Sequence, residues 1–107
     1  MAKRAKFTLS FAPDAIEHLD LIEPKYHGLL RRTINEQLTY TPTKETRNRK
    51  PLDQPAPFGA SWELRCGPDN RFRVFYEVDS AAQQVQVLAV GVKDRNRLLI
   101  GGEEYES

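Results

Sequence analysis

Residues 62–78 read WELRCGPDNRFRVFYEV. Gly67, Pro68, Asp69 and Asn70 form a strong turn signal, because each of these residue types favours a reversal of the chain. On both sides of that turn apolar and polar residues alternate, the period of a strand whose two faces differ. Trp62, Leu64 and Cys66 share one face of the first strand, opposite Ser61, Glu63 and Arg65. In the second strand Phe72, Val74, Tyr76 and Val78 lie opposite Arg71, Arg73, Phe75 and Glu77. The hairpin therefore has a core face and a second face that carries guanidiniums, where a plain sheet would hold Thr or Val.

Working outward, a weaker turn at 79–82 (DSAA) leads to a third strand over about 84–92. Short links make neighbours antiparallel, so the three strands form a meander. Strict alternation puts Val85, Val87 and Ala89 on the core face and Gln84, Gln86, Leu88 and Val90 on the other. That second face holds large apolar residues among its charges. It is therefore expected to be a groove, partly covered by the C-terminal segment or by a partner. The closing KDRNRLLIGGEEYES offers a short strand RLLI, a turn at Gly101-Gly102 and a last strand EEY, with a short helix over 93–99 as the alternative.

Upstream, KFTLSF alternates as a half-buried strand. APDAIEHLDLIE follows, with Pro13 suited to a first helical position and Ala12, Ile16, Leu19 and Ile22 at helical spacing. Pro24 ends this helix. A second helix over about 25–39 carries the stripe Tyr26, Leu29, Leu30, Ile34 and Leu38. The two helices form a hairpin whose apolar faces are expected to cover the sheet. Residues 41–59 contain four prolines and show no period, so a long structureless loop is expected there. Lys44, Arg47, Arg49 and Lys50 cluster in it, and Leu52 and Phe58 are candidates to pin its end to the body.

A chain of 107 residues suits one domain spanning 1–107. Hydrophobic content of 39% and charged content of 29% exclude a disordered chain. One cysteine rules out an internal disulfide and points to the cytoplasm. The basic start is interrupted by acids and Pro13 before any apolar run of signal-peptide length, and no window reaches the roughly 18 apolar residues of a membrane helix. Net charge is only +1, yet residues 31–51 carry six bases against two acids, while the acids of 101–107 stand without a base. Such a basic zone suits an anionic partner. There is no metal-ligand cluster, phosphate-cradling glycine loop or Ser/His/Asp spacing, so neither a metal nor a cofactor is expected. His18 and His27 are expected to be solvated helix residues, and Cys66 an inert core residue.

Strand, two helices, basic loop and meander, in that order, resemble the RelE/ParE superfamily of bacterial type II toxins. WELR (62–65), FRVFYEV (72–78), VLAVGVKDRNRL (87–98) and FAPDAIEHL (11–19) carry the likeness. The resemblance implies an α+β fold, an antiparallel sheet with an N-terminal helical hairpin packed on one face. RelE-like toxins cleave mRNA in the ribosomal A site through attack of the 2′-hydroxyl on the adjacent phosphate. ParE-like members inhibit DNA gyrase. Both are neutralised by a cognate antitoxin protein.

By that resemblance Arg65, Arg73 and Lys93 are the candidate catalytic residues, and Arg47, Arg49, Lys50 and Arg95 the candidate RNA-binding ones. The chain departs from the pattern in three places. Glu63 stands where another base is usual, Leu98, Leu99 and Ile100 occupy the region of a usual tyrosine, with Tyr105 late, and the chain closes on LLIGGEE instead of a long C-terminal helix. A ParE-like gyrase inhibitor without enzymatic activity, or an inactive member that only binds an antitoxin, therefore remains open beside the ribosome-dependent endoribonuclease. RNA cleavage needs a base, an acid and stabilisation of a charged phosphorane. Arginine stays protonated, so Arg65 and Arg73 can hold the phosphate but not take a proton. The base is then Lys93, Glu63 or a ribosomal group. Cross-strand pairing of Arg65 and Arg73 with Glu63 and Glu77 would account for these arginines without any function, and Lys93, Arg95 and Arg97 would equally serve to guard a strand end.

Overall fold

A computed structural model describes residues 6–105. The chain enters as strand β1 (Thr8–Phe11) and turns directly into helix α1 (Pro13–Asp20), with Pro13 opening the helix and Asp14 in its first turn. A single 3-10 turn at Pro24–Tyr26 joins it to helix α2 (His27–Leu38). Strands β2 (Arg49–Pro51), β3 (Trp62–Cys66), β4 (Phe72–Asp79), β5 (Gln84–Asp94), β6 (Arg97–Ile100) and β7 (Glu103–Glu104) follow. They pair in sequence order into one sheet, all antiparallel, with both helices on one face. The fold is α+β, as expected, and the C-terminal segment takes the strand alternative, with Gly101 and Gly102 turning at φ 63° and 80°.

Under the helices lies the main core. Leu30, Ile34 and Leu38 of α2 meet Leu64, Phe72, Val74, Tyr76, Val85 and Val87, all essentially without exposure. Each such side chain contributes about 1.5–3 kcal/mol through burial. A second cluster sits on the opposite face, where Phe75, Ala60, Ala89 and Ile100 are covered by Leu52, Leu88, Leu98 and Tyr105. The expected covering of that face by the C-terminal segment is thus supplied by β6 and the residues just past β7.

Four local expectations are corrected. First, β1 runs parallel to β5, Thr8 beside Gln84 and Phe11 beside Val87, so the sheet is antiparallel except at this one edge. Second, residues 41–59 are not structureless. Arg49–Pro51 pairs with Trp62–Leu64, a tight turn closes between Thr46 and Arg49, and the Tyr76 hydroxyl donates to the Pro42 carbonyl at 2.6 Å. Burial raises the Tyr76 pKa well above the usual phenol range, so this hydroxyl remains a donor.

Third, α1 is rotated from the expected stripe. Ala15, His18 and Ile22 face inward, and Ile16 is half exposed. The rotation follows from β5, whose one edge is shared between β1, over Gln84–Val87, and β6, over Gly91–Asp94. In the gap between them the Val90 N–H has no strand partner, and it donates to His18 Nδ1 at 3.2 Å. The ring is 8% exposed and meets Phe58 edge-on. His27 is also tied down, its Nε2–H donating to the Ile22 carbonyl at 2.8 Å. Neither is a freely solvated histidine.

Fourth, β5 does not alternate strictly. Phe75 pairs with Ala89 but Tyr76 pairs with Val87, so Leu88 is an extra residue, a β-bulge. Beyond it the facing reverses. Val90 and Val92 join the helix side, and Ala89, Gly91 and Lys93 go to the other.

Candidate nucleic-acid interface

Register across the sheet decides which charges meet. Residues directly opposite on neighbouring strands share a face. Lys50 stands opposite Glu63, Arg65 opposite Arg73, and Arg73 opposite Gly91. Lys93 is two residues beyond Gly91 and therefore on the same face. Strict alternation would have turned Lys93 toward the helices, so the bulge at Leu88 is what brings it to Arg65 and Arg73. Gly91 has its own reason. A Cβ there would lie 3.0 Å from Leu98 Cδ1 and 3.1 Å from Ile100 Cγ1, because the side chains of β6 close over it.

Glu63 organises the centre. Its side chain is 9% exposed, and Oε1 accepts from Arg65 Nε at 3.0 Å and stands 4.0 Å from Arg73 Nη1. Arg73 Nε also donates to the Asn70 carbonyl at 3.2 Å. The pairing with Glu63 read from the sequence is present, and Glu77 takes no part in an ion pair among the described residues. The structure thus fixes each arginine through one edge. The Nη groups of Arg65 have no protein partner among the described residues. A guanidinium held in this way offers its remaining N–H groups to a phosphate as a pre-oriented fork. Burial and the neighbouring Arg65 lower the Arg73 pKa from its ordinary value, while Glu63 and Cys66 pull it back up. Cys66, on the helix side, is pushed up to about 11 by burial against the opposing pull of Arg73. It is an inert thiol, as expected.

The basic loop reaches this face through Asn48. Its carbonyl accepts from the Arg65 N–H at 2.8 Å, and its side chain meets that of Asn70 at 3.4 Å. Arg47 and Asn48 form the tip of the tight turn between Thr46 and Arg49, and Arg47 is exposed there, one residue before the Asn48 that bonds to Arg65. Lys50 and Lys93 are exposed on the same face, and Arg95 is exposed in the turn between β5 and β6 with φ 57°.

Arg49 differs from its neighbours in the candidate set. It pairs with Leu64 and so faces the helix side, where it is 5% exposed. Its Nη1 donates to the carbonyls of Gln37, at 2.8 Å, and Thr41. There it satisfies carbonyls at the end of α2, a favourable place for a cation, and it is not among the surface bases. Asn48 and Asn70 are parts of the site that residue type did not signal. The one cue in the sequence is that Asn tolerates left-handed backbone, as Asn70 does at φ 52°.

No family model and no curated protein matches this chain. Among solved structures it is similar to a chain of the toxin–antitoxin complex RelBE2 from Mycobacterium tuberculosis, with TM-score 0.68 and 22% sequence identity, over 87% of this chain and 98% of that one. At that identity the likeness is one of fold, and it bears out the RelE-like architecture read from the sequence.

Proposed function

We propose that the chain is the toxin of a type II toxin–antitoxin pair and that it is an endoribonuclease acting on ribosome-bound mRNA. The observation that carries this reading is the cross-strand cluster of Arg65 and Arg73 around Glu63, with Lys93 on the same face, in a chain that shares the fold of a toxin–antitoxin component. In this reading Arg65 and Arg73 hold the scissile phosphate and stabilise the extra charge of the phosphorane. Lys50, Arg47 and Arg95 grip the flanking backbone. Glu63 is engaged as counter-ion to two guanidiniums, so the proton of the 2′-hydroxyl goes to a ribosomal group, with Lys93 as a further cation near the phosphate.

The chain, induced without its antitoxin, is expected to arrest translation with cut mRNA. Arg73→Ala, in a protein that still folds, is expected to reduce cutting by about a hundredfold or more. Intact mRNA with full arrest of gyrase supercoiling would instead establish a ParE-like inhibitor. One observation favours that second reading: the buried carboxylate of the cluster is already tied to Arg65 and lies beside Arg73, which leaves the centre without a free base. The cognate antitoxin is expected to cover the basic face, and its binding to a cutting-deficient variant is measured separately.

A further inference from the structure

Three cations have no ion-pair partner among the described residues and yet converge: Arg71, Lys93 and Arg95. Together with Pro68 and Asp69 they line a small pocket of about 330 Å³. It lies between two turns, the one joining β3 to β4 and the one joining β5 to β6. Arg97 differs, since Asp94 neutralises it at 3.4 Å. Arg71 is also fixed in direction. Its guanidinium carbon stands 5.7 Å from the centre of the Tyr26 ring and 5.8 Å from that of Phe72, in cation–π range of both. The Arg71 carbonyl accepts from the Lys93 N–H at 2.7 Å, and the preceding Asn70 carbonyl accepts from Arg73. Two adjacent residues, Asn70 and Arg71, thus tie the pocket through their carbonyls to Arg73 and to β5.

We propose that this pocket is a second anion subsite, which binds an RNA backbone phosphate next to the one held by Arg65 and Arg73, with Arg71 as its fixed cation. The inference rests on the RNA-cleaving reading above and adds Arg71, which the resemblance does not assign. With three cations against the single carboxylate of Asp69 the concave site keeps a net positive charge, which suits the clustered oxygens of one phosphate better than carboxylates strung along an acidic peptide. Tyr26 and Phe72 hold the Arg71 side chain before the ligand arrives, so less rotamer freedom is lost on binding.

The test uses the full chain and a short single-stranded RNA with 2′-O-methyl riboses, which lacks the attacking hydroxyl. Binding is measured over a range of salt concentrations. Arg71→Ala is expected to weaken binding equally for all sequences and to make the slope of log K against log salt shallower by about 0.7. Arg71→Lys, which keeps the charge, is expected to retain the wild-type slope. If Arg71→Ala binds with wild-type affinity and slope, the subsite is overturned and the reading of Arg65 and Arg73 stands. If the wild-type chain binds no RNA, the subsite is overturned, whereas the functional reading stands or falls separately on the cutting of ribosome-bound mRNA. Loss of oligoglutamate binding by Arg71→Ala, with RNA binding unchanged, also overturns the proposal and assigns the pocket to an acidic protein partner.

Discussion

At the scale of single residues, two buried polar groups set the properties of the molecule. Glu63 stands between two arginines that face each other across β3 and β4. Glu63→Ala would leave like charges opposed with no counter-ion. Breaking a fully buried pair costs about 3–5 kcal/mol, but Arg65 is 37% exposed and screened by water. The expected loss is therefore about 2 kcal/mol in urea unfolding, and smaller for Glu63→Gln, which keeps an acceptor. His18 gives the fold a pH dependence. Burial lowers its pKa from the ordinary 6.5, against the smaller pull of Asp14 and Glu17. The unfolded chain then takes up the proton before the folded one. Stability is full above 6.5 and falls as pH drops below it toward the folded value. Protonated His18 has no lone pair for the Val90 N–H, which gives the same direction. His18→Asn, which keeps an acceptor near the same position, is expected to flatten the urea midpoint between about pH 8 and 5.

At the scale of elements, β5 carries the architecture. Its eleven residues pair with β4 along one edge and with both β1 and β6 along the other. Gly91 is where β6 closes down on it. Gly91→Ala would push a methyl group against Leu98, Ile100 and the Leu99 carbonyl, two side chains and one backbone atom of the same strand. Overpacking of this kind costs about 1–3 kcal/mol. Because Leu98 stands opposite Lys93, amide exchange in β6 is expected to rise together with a loss of RNA affinity. The helices illustrate what residue type conceals. Ile16 looks like a core position of α1 and His18 like a surface one, yet the unpaired Val90 N–H needs an acceptor more than Ile16 needs cover. Similarly, RKP at 49–51 has no strand period, because its three residues are assigned by pairing with β3 and not by their own propensity.

At the scale of the whole molecule, the sheet carries a buried apolar cluster on each face. Phe75 is as buried as Phe72, though it lies on the side of the candidate site. Phe75→Ala is expected to cost about 3–5 kcal/mol. Its unfolding should remain a single transition, with circular dichroism and Trp62 fluorescence coincident, since β4 belongs to both clusters. The helix-side core and the shared face of Arg65 and Arg73 were legible in the sequence, because period-two alternation in 62–78 is unbroken. What lay beyond Leu88 was not legible, since the run LAVGV is apolar on either assignment and carries no sign of an extra residue. Nor was Arg49 separable from Lys50, as adjacent bases differ only in the side to which pairing turns them. The bulge has one further consequence. Inward and outward positions along β5 obey an odd–even count, and Leu88 resets it. Deleting that one codon would exchange the two sets over residues 89–94, driving the Lys93 ammonium under the helices and Val92 into water. Relatives of this chain are thus expected to vary in length at turns and termini but to keep the number of residues between Tyr76's partner and Lys93 constant.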